Sequence, residues 1–278
     1  MLANVKAILH PTDFSDTSMD AFVHALKLAV SAQCDLHIVH VASREDEWAG
    51  NVGPRVRHML AQWKLMDEFD SMQAVGEKFG IKIDKIELPP QNPVSAVLHY
   101  QERHPSQLFV MATEGREGLP RWLHGSVAET VARRAHVNAL FVSPQTQGFV
   151  VPATGEFRLG KILVPISDDP RPAPAIELAA AMRKLAGDTA EVRFVHFGDH
   201  PGAARADDKG FPAGTVFLPG GNVVDRLLEE AEDCDAGLIV MATAGHDGLM
   251  DALNGSTTEQ VLRRAPCPVL SAPVPLGR

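Results

Sequence analysis

Several things are scarce in this chain, and each shortage excludes something. There are 3 cysteines in 278 residues, Cys34, Cys234 and Cys267, all far apart in sequence. An odd, scattered set makes no disulfide framework and fits a reducing compartment, so a cytoplasmic location is expected. Neither a Cys-x2-Cys pair nor a His-Glu-x-x-His run occurs, so no dedicated metal site is expected in spite of 12 histidines. No apolar run approaches the roughly 18–20 residues that cross a bilayer. The opening stretch, Met1 to His10, lacks the charged, apolar and small-residue zones of a secretory leader. A basic surplus is also missing: 26 Lys and Arg face 35 Asp and Glu for a net charge of −9, split as −3 over residues 1–145 and −6 over the remainder. Without a basic stripe, neither a nucleic acid nor a membrane is an expected partner.

What is present is a chain that says one thing twice. Residues 107–143 and 237–273 align without gaps at an offset of 130. The alignment pairs Met111 with Met241, Gly115 with Gly245, Gly118 with Gly248, Gly125-Ser126 with Gly255-Ser256, Glu129 with Glu259, and Arg133-Arg134 with Arg263-Arg264. Earlier in each copy, Lys6 to Pro11 answers Gly160 to Pro165, and Leu36 to His40 answers Val192 to His196. The second copy is about 26 residues shorter between these landmarks. The reading is two domains, 1–145 and 158–278, joined by a linker at 144–159.

In the first copy, short runs rich in Val, Ile and Leu fall at 4–10, 35–42, 81–88, 107–113 and 138–143. Runs of this length, apolar throughout and bounded by turn residues, suit strands buried on both faces. Helical patterns lie between them. The stretch 17–32 carries Phe22, Ala25, Leu28 and Ala29 at helical spacing, with Asp16 or Thr17 as the expected cap. Met59, Trp63, Met66 and Phe69 predict one long helix over 54–79. Asn92-Pro93 opens a third helix, and Gly125-Ser126 a fourth. The second copy repeats the strands at 161–166, 190–197, 214–218, 235–242 and 267–271, but has a Gly/Pro/Asp-rich loop at 198–213 where the long helix would be. One face of that copy is therefore expected to be barer. Alternating strands and helices predict an α/β architecture: two Rossmann-like domains, each a five-stranded parallel sheet with helices on both faces.

Ligands of such sheets sit beyond the carboxyl ends of the strands, where strand order reverses. Strand 107–113 runs into Ala112-Thr-Glu-Gly115, and Gly125-Ser126 then opens a helix. Glycine lets the backbone come close to a ligand, and free N–H groups at a helix start suit phosphate. Arg116 and Arg121 lie in the loop and can neutralise charge. The turn Pro11-Thr-Asp-Phe-Ser15 faces this loop across the sheet end, and Asp13 can accept a hydrogen bond from a ribose hydroxyl or an adenine amino group. The blander readings stand beside these. Ser126 also suits a plain helix cap, and Asp13 an Asx-type turn. His10, His40, His124, His196 and His246 fall near strand ends or the loop, so some are expected to meet at the ligand edge. Trp48, Trp63 and Trp122 are assigned to helix packing, and the cysteines to buried sites at strand starts.

The Pro-Thr-Asp-Phe-Ser turn and the late Gly-x2-Gly-x9-Gly-Ser loop give both copies a resemblance to universal stress proteins, whose domains are adenine-nucleotide-hydrolase-like. The resemblance implies an adenine-nucleotide site, for ATP, ADP or AMP, formed by Asp13, Val41, Ala112, Gly115, Gly125, Ser126 and Val127. Arg116 adds charge, and Mg or Mn would come through the phosphates. The first glycine of the loop is Ala112 in one copy and Ala242 in the other. In the second copy Ser167 stands where Asp13 would, Asp168 follows one place late, and His246 replaces Arg116. A weaker second site of Ser167, Ala242, Gly245, Gly255 and Ser256 is expected there. Family members commonly pair their last strands between subunits, which implies an internal pseudo-dimer of 138–143 against 268–272; a homodimer of two chains stays open. With no P-loop lysine and no base placed to activate water, slow ATP hydrolysis is the most that is expected. Three readings remain: a nucleotide-binding regulator with an unknown protein partner, an interaction protein whose pockets are empty or hold another small anionic ligand, and, least favoured, a nucleotide hydrolase.

Overall fold

The computed structural model describes residues 5–42, 52–113, 127–144, 146–167, 169–198, 211–243 and 257–274. The first copy contributes β1 (Ala7–Pro11), α1 (Asp16–Ala32), β2 (Asp35–Val41), α2 (Val52–Gln62), α3 (Met72–Phe79), β3 (Ile83–Leu88), α4 (Pro93–Arg103), β4 (Leu108–Ala112), α5 (Val127–Ala135) and β5 (Asn138–Val142). The second contributes β6 (Lys161–Pro165), α6 (Ala173–Leu185), β7 (Glu191–Phe197), β8 (Val216–Leu218), α7 (Val223–Asp233), β9 (Leu238–Thr243), α8 (Thr257–Arg264) and β10 (Val269–Pro273).

All ten strands form one sheet in the order β3-β2-β1-β4-β5-β10-β9-β6-β7-β8. Within each half the pairs are parallel and the order is the same. The halves meet where β5 and β10 run antiparallel, with Leu140 opposite Leu270. The two expected five-stranded sheets are thus fused through their last strands. Successive strand residues feed opposite layers, as the two-residue strand period requires. Ile8, Leu36, Ile38 and Val110 join the layer under α1 and α6, while Leu9, Val39, Phe109 and Met111 join the layer under α4, α5, α7 and α8. Both layers run through both halves.

Two expectations need correcting. The helix predicted over 54–79 is two helices with a break at 63–71. Lys64 takes φ 58°, the Asp67 N–H donates to the Asp70 carboxylate at 3.0 Å, and Ser71 caps α3. Turn and capping chemistry wins over the apolar period. Trp63 and Met66 are buried as expected, but Phe69 is 96% exposed. Helix α1 is capped by Ser15, whose Oγ accepts from the Ser18 N–H at 3.2 Å, so Asp16 and Thr17 lie inside its first turn. On the face of the second half that is expected to be barer, the described residues place one aromatic ring. Phe211 is buried in the α1/α6 layer, with its ring 5.0 Å from His196 and 6.2 Å from Phe217.

The segment between the halves is a packed strap. Val150 and Phe157 form an antiparallel bridge, and Phe149, Val150 and Leu159 are buried in the α1/α6 layer. The Trp63 indole N–H donates to the Pro152 carbonyl at 2.8 Å. On α1, the His24 Nδ1–H donates to the Asp20 carbonyl at 2.7 Å and Nε2 accepts the Val150 N–H at 3.3 Å. The backbone at Gly148 lies against the His24 ring, and Gly155, at φ 68°, lies against the Trp63 ring; a Cβ at either would collide with its aromatic neighbour.

Candidate functional site

The strand order reverses between β1 and β4, and again between β6 and β9. In both places the ladder is short. It pairs Ile8–Leu108 and Leu9–Phe109 in the first half and Ile162–Leu238 and Leu163–Ile239 in the second. Beyond these pairs the strands continue to Pro11 and Ala112, and to Pro165 and Thr243, without further ladder partners between them. Each half therefore has the crevice at which ligands of open α/β sheets lodge.

At the first crevice the turn after β1 is wired residue by residue. The Thr12 N–H donates to the Val39 carbonyl at 2.9 Å, and the Thr12 carbonyl accepts the His40 Nδ1–H at 2.8 Å. The Thr12 hydroxyl accepts the Phe14 N–H at 3.1 Å and shares a 2.7 Å bond with the Ser18 hydroxyl. Phe14 takes φ 61°, a region costly for a bulky side chain, and its ring packs 4.5 Å from His40. The Asp13 carboxylate, half-buried, accepts the Ser15 N–H at 3.0 Å and the Ser15 hydroxyl at 2.7 Å. Asp13 thus makes the Asx-type turn of the blander reading, and that turn holds the carboxylate at the strand end.

Val41 closes β2 and Ala112 closes β4, both half-buried. Val127 is the first residue of α5 and is 45% exposed. Gly115, Arg116, Arg121, Gly125 and Ser126 lie outside the described residues, as do Trp48, Trp122 and His124. So do Asp168, Gly245, His246, Gly255 and Ser256 of the second copy. Of the second site, Ser167 donates to the Asp169 carbonyl at 3.1 Å, and Ala242 is half-buried in β9. His196 repeats the role of His40, donating to the Ile166 carbonyl at 2.8 Å. His10 and His40 do lie together, on the α1 side of neighbouring strands. The His10 Nδ1–H donates to the Val110 carbonyl at 2.9 Å, spanning the start of the crevice, and burial pushes its pKa down to about 4. Among the described residues no group of His, Cys, Asp and Glu could hold a metal ion. The residues that sequence reasoning missed are Phe14, whose left-handed backbone has no sequence signal apart from the turn itself, and Arg55, which arrives from α2.

A duplicated open α/β sheet, with matching crevices at both points of reversal, defines the class. A sequence model of the universal stress protein family matches residues 4–143 and 202–273, and the chain belongs to that family. A universal stress protein of Methanocaldococcus jannaschii is 31% identical over 147 residues, covering 49% of this chain and 81% of the relative. Among solved structures, a universal stress protein of Archaeoglobus fulgidus overlays with a TM-score of 0.65 at 20% identity, covering 96% of each chain. A functionally unknown protein of Pseudomonas aeruginosa gives a TM-score of 0.65 at 19% identity, covering 98% of this chain and 94% of that one. No helix among the described residues is long and apolar enough to cross a membrane.

Proposed function

We propose that residues 1–145 form a domain that binds an adenine nucleotide, ATP or its AMP or ADP relatives, at the crevice between β1 and β4. The observation that carries this reading is the Asp13 carboxylate, fixed by Ser15 at the mouth of a crevice where the strand ladder has ended. Asp13 would take the ribose or the base edge, with Val41 and Ala112 on either side. Gly115, Arg116, Gly125, Ser126 and Val127 would take the phosphates, together with any Mg or Mn they carry. Residues 158–278 would form the shortened domain, and its site, with Ser167 in place of Asp13, would be weak or put to another use. Binding would stabilise the loop and the helix over 125–135 and so change a surface that a protein partner or a second chain reads.

A second reading keeps the chain as an interaction protein without a nucleotide. One fact favours it: Asp13 already accepts two hydrogen bonds within its own turn. Thermal unfolding with ATP and Mg²⁺ separates the two. A ligand at about one hundred times its Kd adds roughly 2.7 kcal/mol to the folded state, a rise of several degrees in Tm. Asp13→Ala and Gly125→Val should abolish that rise, and Ser167→Ala and Asp168→Ala should leave it. A wild type that ignores millimolar ATP, ADP and AMP refutes the nucleotide reading; damage confined to the Asp168 variant reverses the assignment of the two sites.

A further inference from the structure

Beneath the turn that carries Asp13 is a small space bounded by His10, Thr12, Phe14, Ser18, Met19, Phe22, Ile38 and Arg55, on the α1 side of β1. His10 is 0% exposed. A carbonyl can only accept, so the Val110 bond fixes the proton on Nδ1 and makes Nε2 an obligate acceptor. That Nε2 is buried and has no hydrogen-bond partner among the described residues, a state that leaves its desolvation uncompensated. A complementary group is close by. The Thr12 and Ser18 hydroxyls share one bond, so whichever of them donates, the other keeps a hydrogen without an acceptor in that pair.

We propose that this space is a binding site for a single ordered water, which donates to His10 Nε2, accepts the spare hydroxyl hydrogen of the Thr12–Ser18 pair, and so ties the floor of β1 to the turn that presents Asp13. The size fits. The space leaves about 10 Å³ for the centre of a water molecule, close to the roughly 10–15 Å³ that one ordered water takes in this measure. Nothing larger than water enters so small a volume. Arg55 of α2 lines the same space, so the water also sits against the helix that follows β2.

The second half supplies an internal control. At the matching positions His10 becomes Val164 and Thr12 becomes Ile166, and both are buried. Ser18 is answered by Pro172. The three polar groups are absent together, as expected if they serve one shared partner, because a buried polar network is favourable only when every member is satisfied.

The test uses the full chain without nucleotide, so its outcome is independent of whether adenylates bind. Crystals that resolve ordered solvent should show a density peak within about 3 Å of His10 Nε2 and of one of the two hydroxyls. The peak should vanish in His10→Phe, which keeps the ring and removes the acceptor. In solution, the His10 ring nitrogens should show the Nδ1–H tautomer. A cycle between His10→Phe and the paired Thr12→Val/Ser18→Ala change should show coupling of about tenfold in the unfolding constant. No peak in the wild type, or a protein group bonded to Nε2 in its place, overturns the proposal. Strict additivity of the two changes refutes the tie between strand and turn. If a variant fails to fold, the wild-type crystal and the tautomer still decide.

Discussion

The first half covers one face of its sheet with two helices, and the described residues of the second half place one aromatic ring on the same face. Between β2 and β3, α2 and α3 place Val56, Leu60 and Val75 in the α1/α6 layer. Between β7 and β8, the described cover in that layer is Phe211, set against His196 and Phe217. The strand order survives the exchange. The sheet therefore needs its apolar face covered, and what covers it is free to change. The cover also borders the crevice turn, so changing it changes the chemistry beneath. With α2 come Arg55 and the polar set of buried His10 and Ser18 and half-buried Thr12; with Phe211 come Val164 and Ile166.

The largest expected effect tests how much of the cover that ring supplies. Phe211→Ala should cost about 3–5 kcal/mol, the usual range for a buried aromatic, and Leu60→Ala about 2–5 kcal/mol. Denaturant unfolding measures both. A loss under 1 kcal/mol for Phe211→Ala would mean that other residues close the second half.

Next come two glycines, each with a left-handed backbone. Gly155→Ala in the strap combines a φ of 68° with a collision on Trp63. It should cost about 3 kcal/mol, the sum of a positive-φ penalty and overpacking. Gly187→Ala, at φ 90° with open space around it, meets only the backbone term and should cost about 1–2 kcal/mol. Equal costs would show that the strap is not pressed against the first half.

The comparison also bears on what a sequence can reveal. Strands, the repeat and the Asn92 cap are written locally or in pairs of matching segments, and they were legible; the pairing of the last strands came only from the family resemblance. The Asn92 side chain accepts the Ser95 N–H at 3.1 Å, as its place before Pro93 predicts. The break at 63–71 was hidden because Trp63 and Met66 keep a helical period that their burial satisfies without a helix. The packing of the strap and of Phe211 was hidden because an apolar residue in a Gly/Pro-rich segment has no period at all. At the site, the turn and its Asp13 were legible as a motif. The bonds from His40 and Ser18 that hold it were not, since they join residues 28 and 6 positions apart through geometry that only the sheet supplies.

Acid should weaken the molecule through the first half. His10 and His24 are both buried there, and burial pulls each down to about 4 from 6.5. Between those values the unfolded chain binds a proton that the folded chain refuses, so stability falls as pH drops from about 6.5 towards 4. Each histidine should cost about 2 kcal/mol at pH 5 relative to neutral pH. Urea midpoints at pH 7.5 and 5.0 give the slope, and His24→Gln should remove about half of it. An unchanged slope in that variant would place the acid sensitivity elsewhere than the contact between His24 and the strap.

The smallest expected effect concerns the opposite layer, at one matching pair of positions where one half has a charge that the other lacks. In the second half Arg264 of α8 reaches Asp225 of α7 at 2.7 Å. The matching pair in the first half is Arg134 of α5 and Ser95 of α4, which line one groove between their helices. Arg264 and Asp225 are 51% and 44% exposed, so water screens the pair and its worth should be about 0–1 kcal/mol. Asp225→Ser should therefore cost a few tenths of a kcal/mol, and Ser95→Asp should return a similar amount, both shrinking in high salt. A larger gain from Ser95→Asp, insensitive to salt, would mean that the first-half groove is drier than its exposed lining implies. The two halves would then differ in how tightly α4 and α5 close over the sheet, and not only in how the other face is covered.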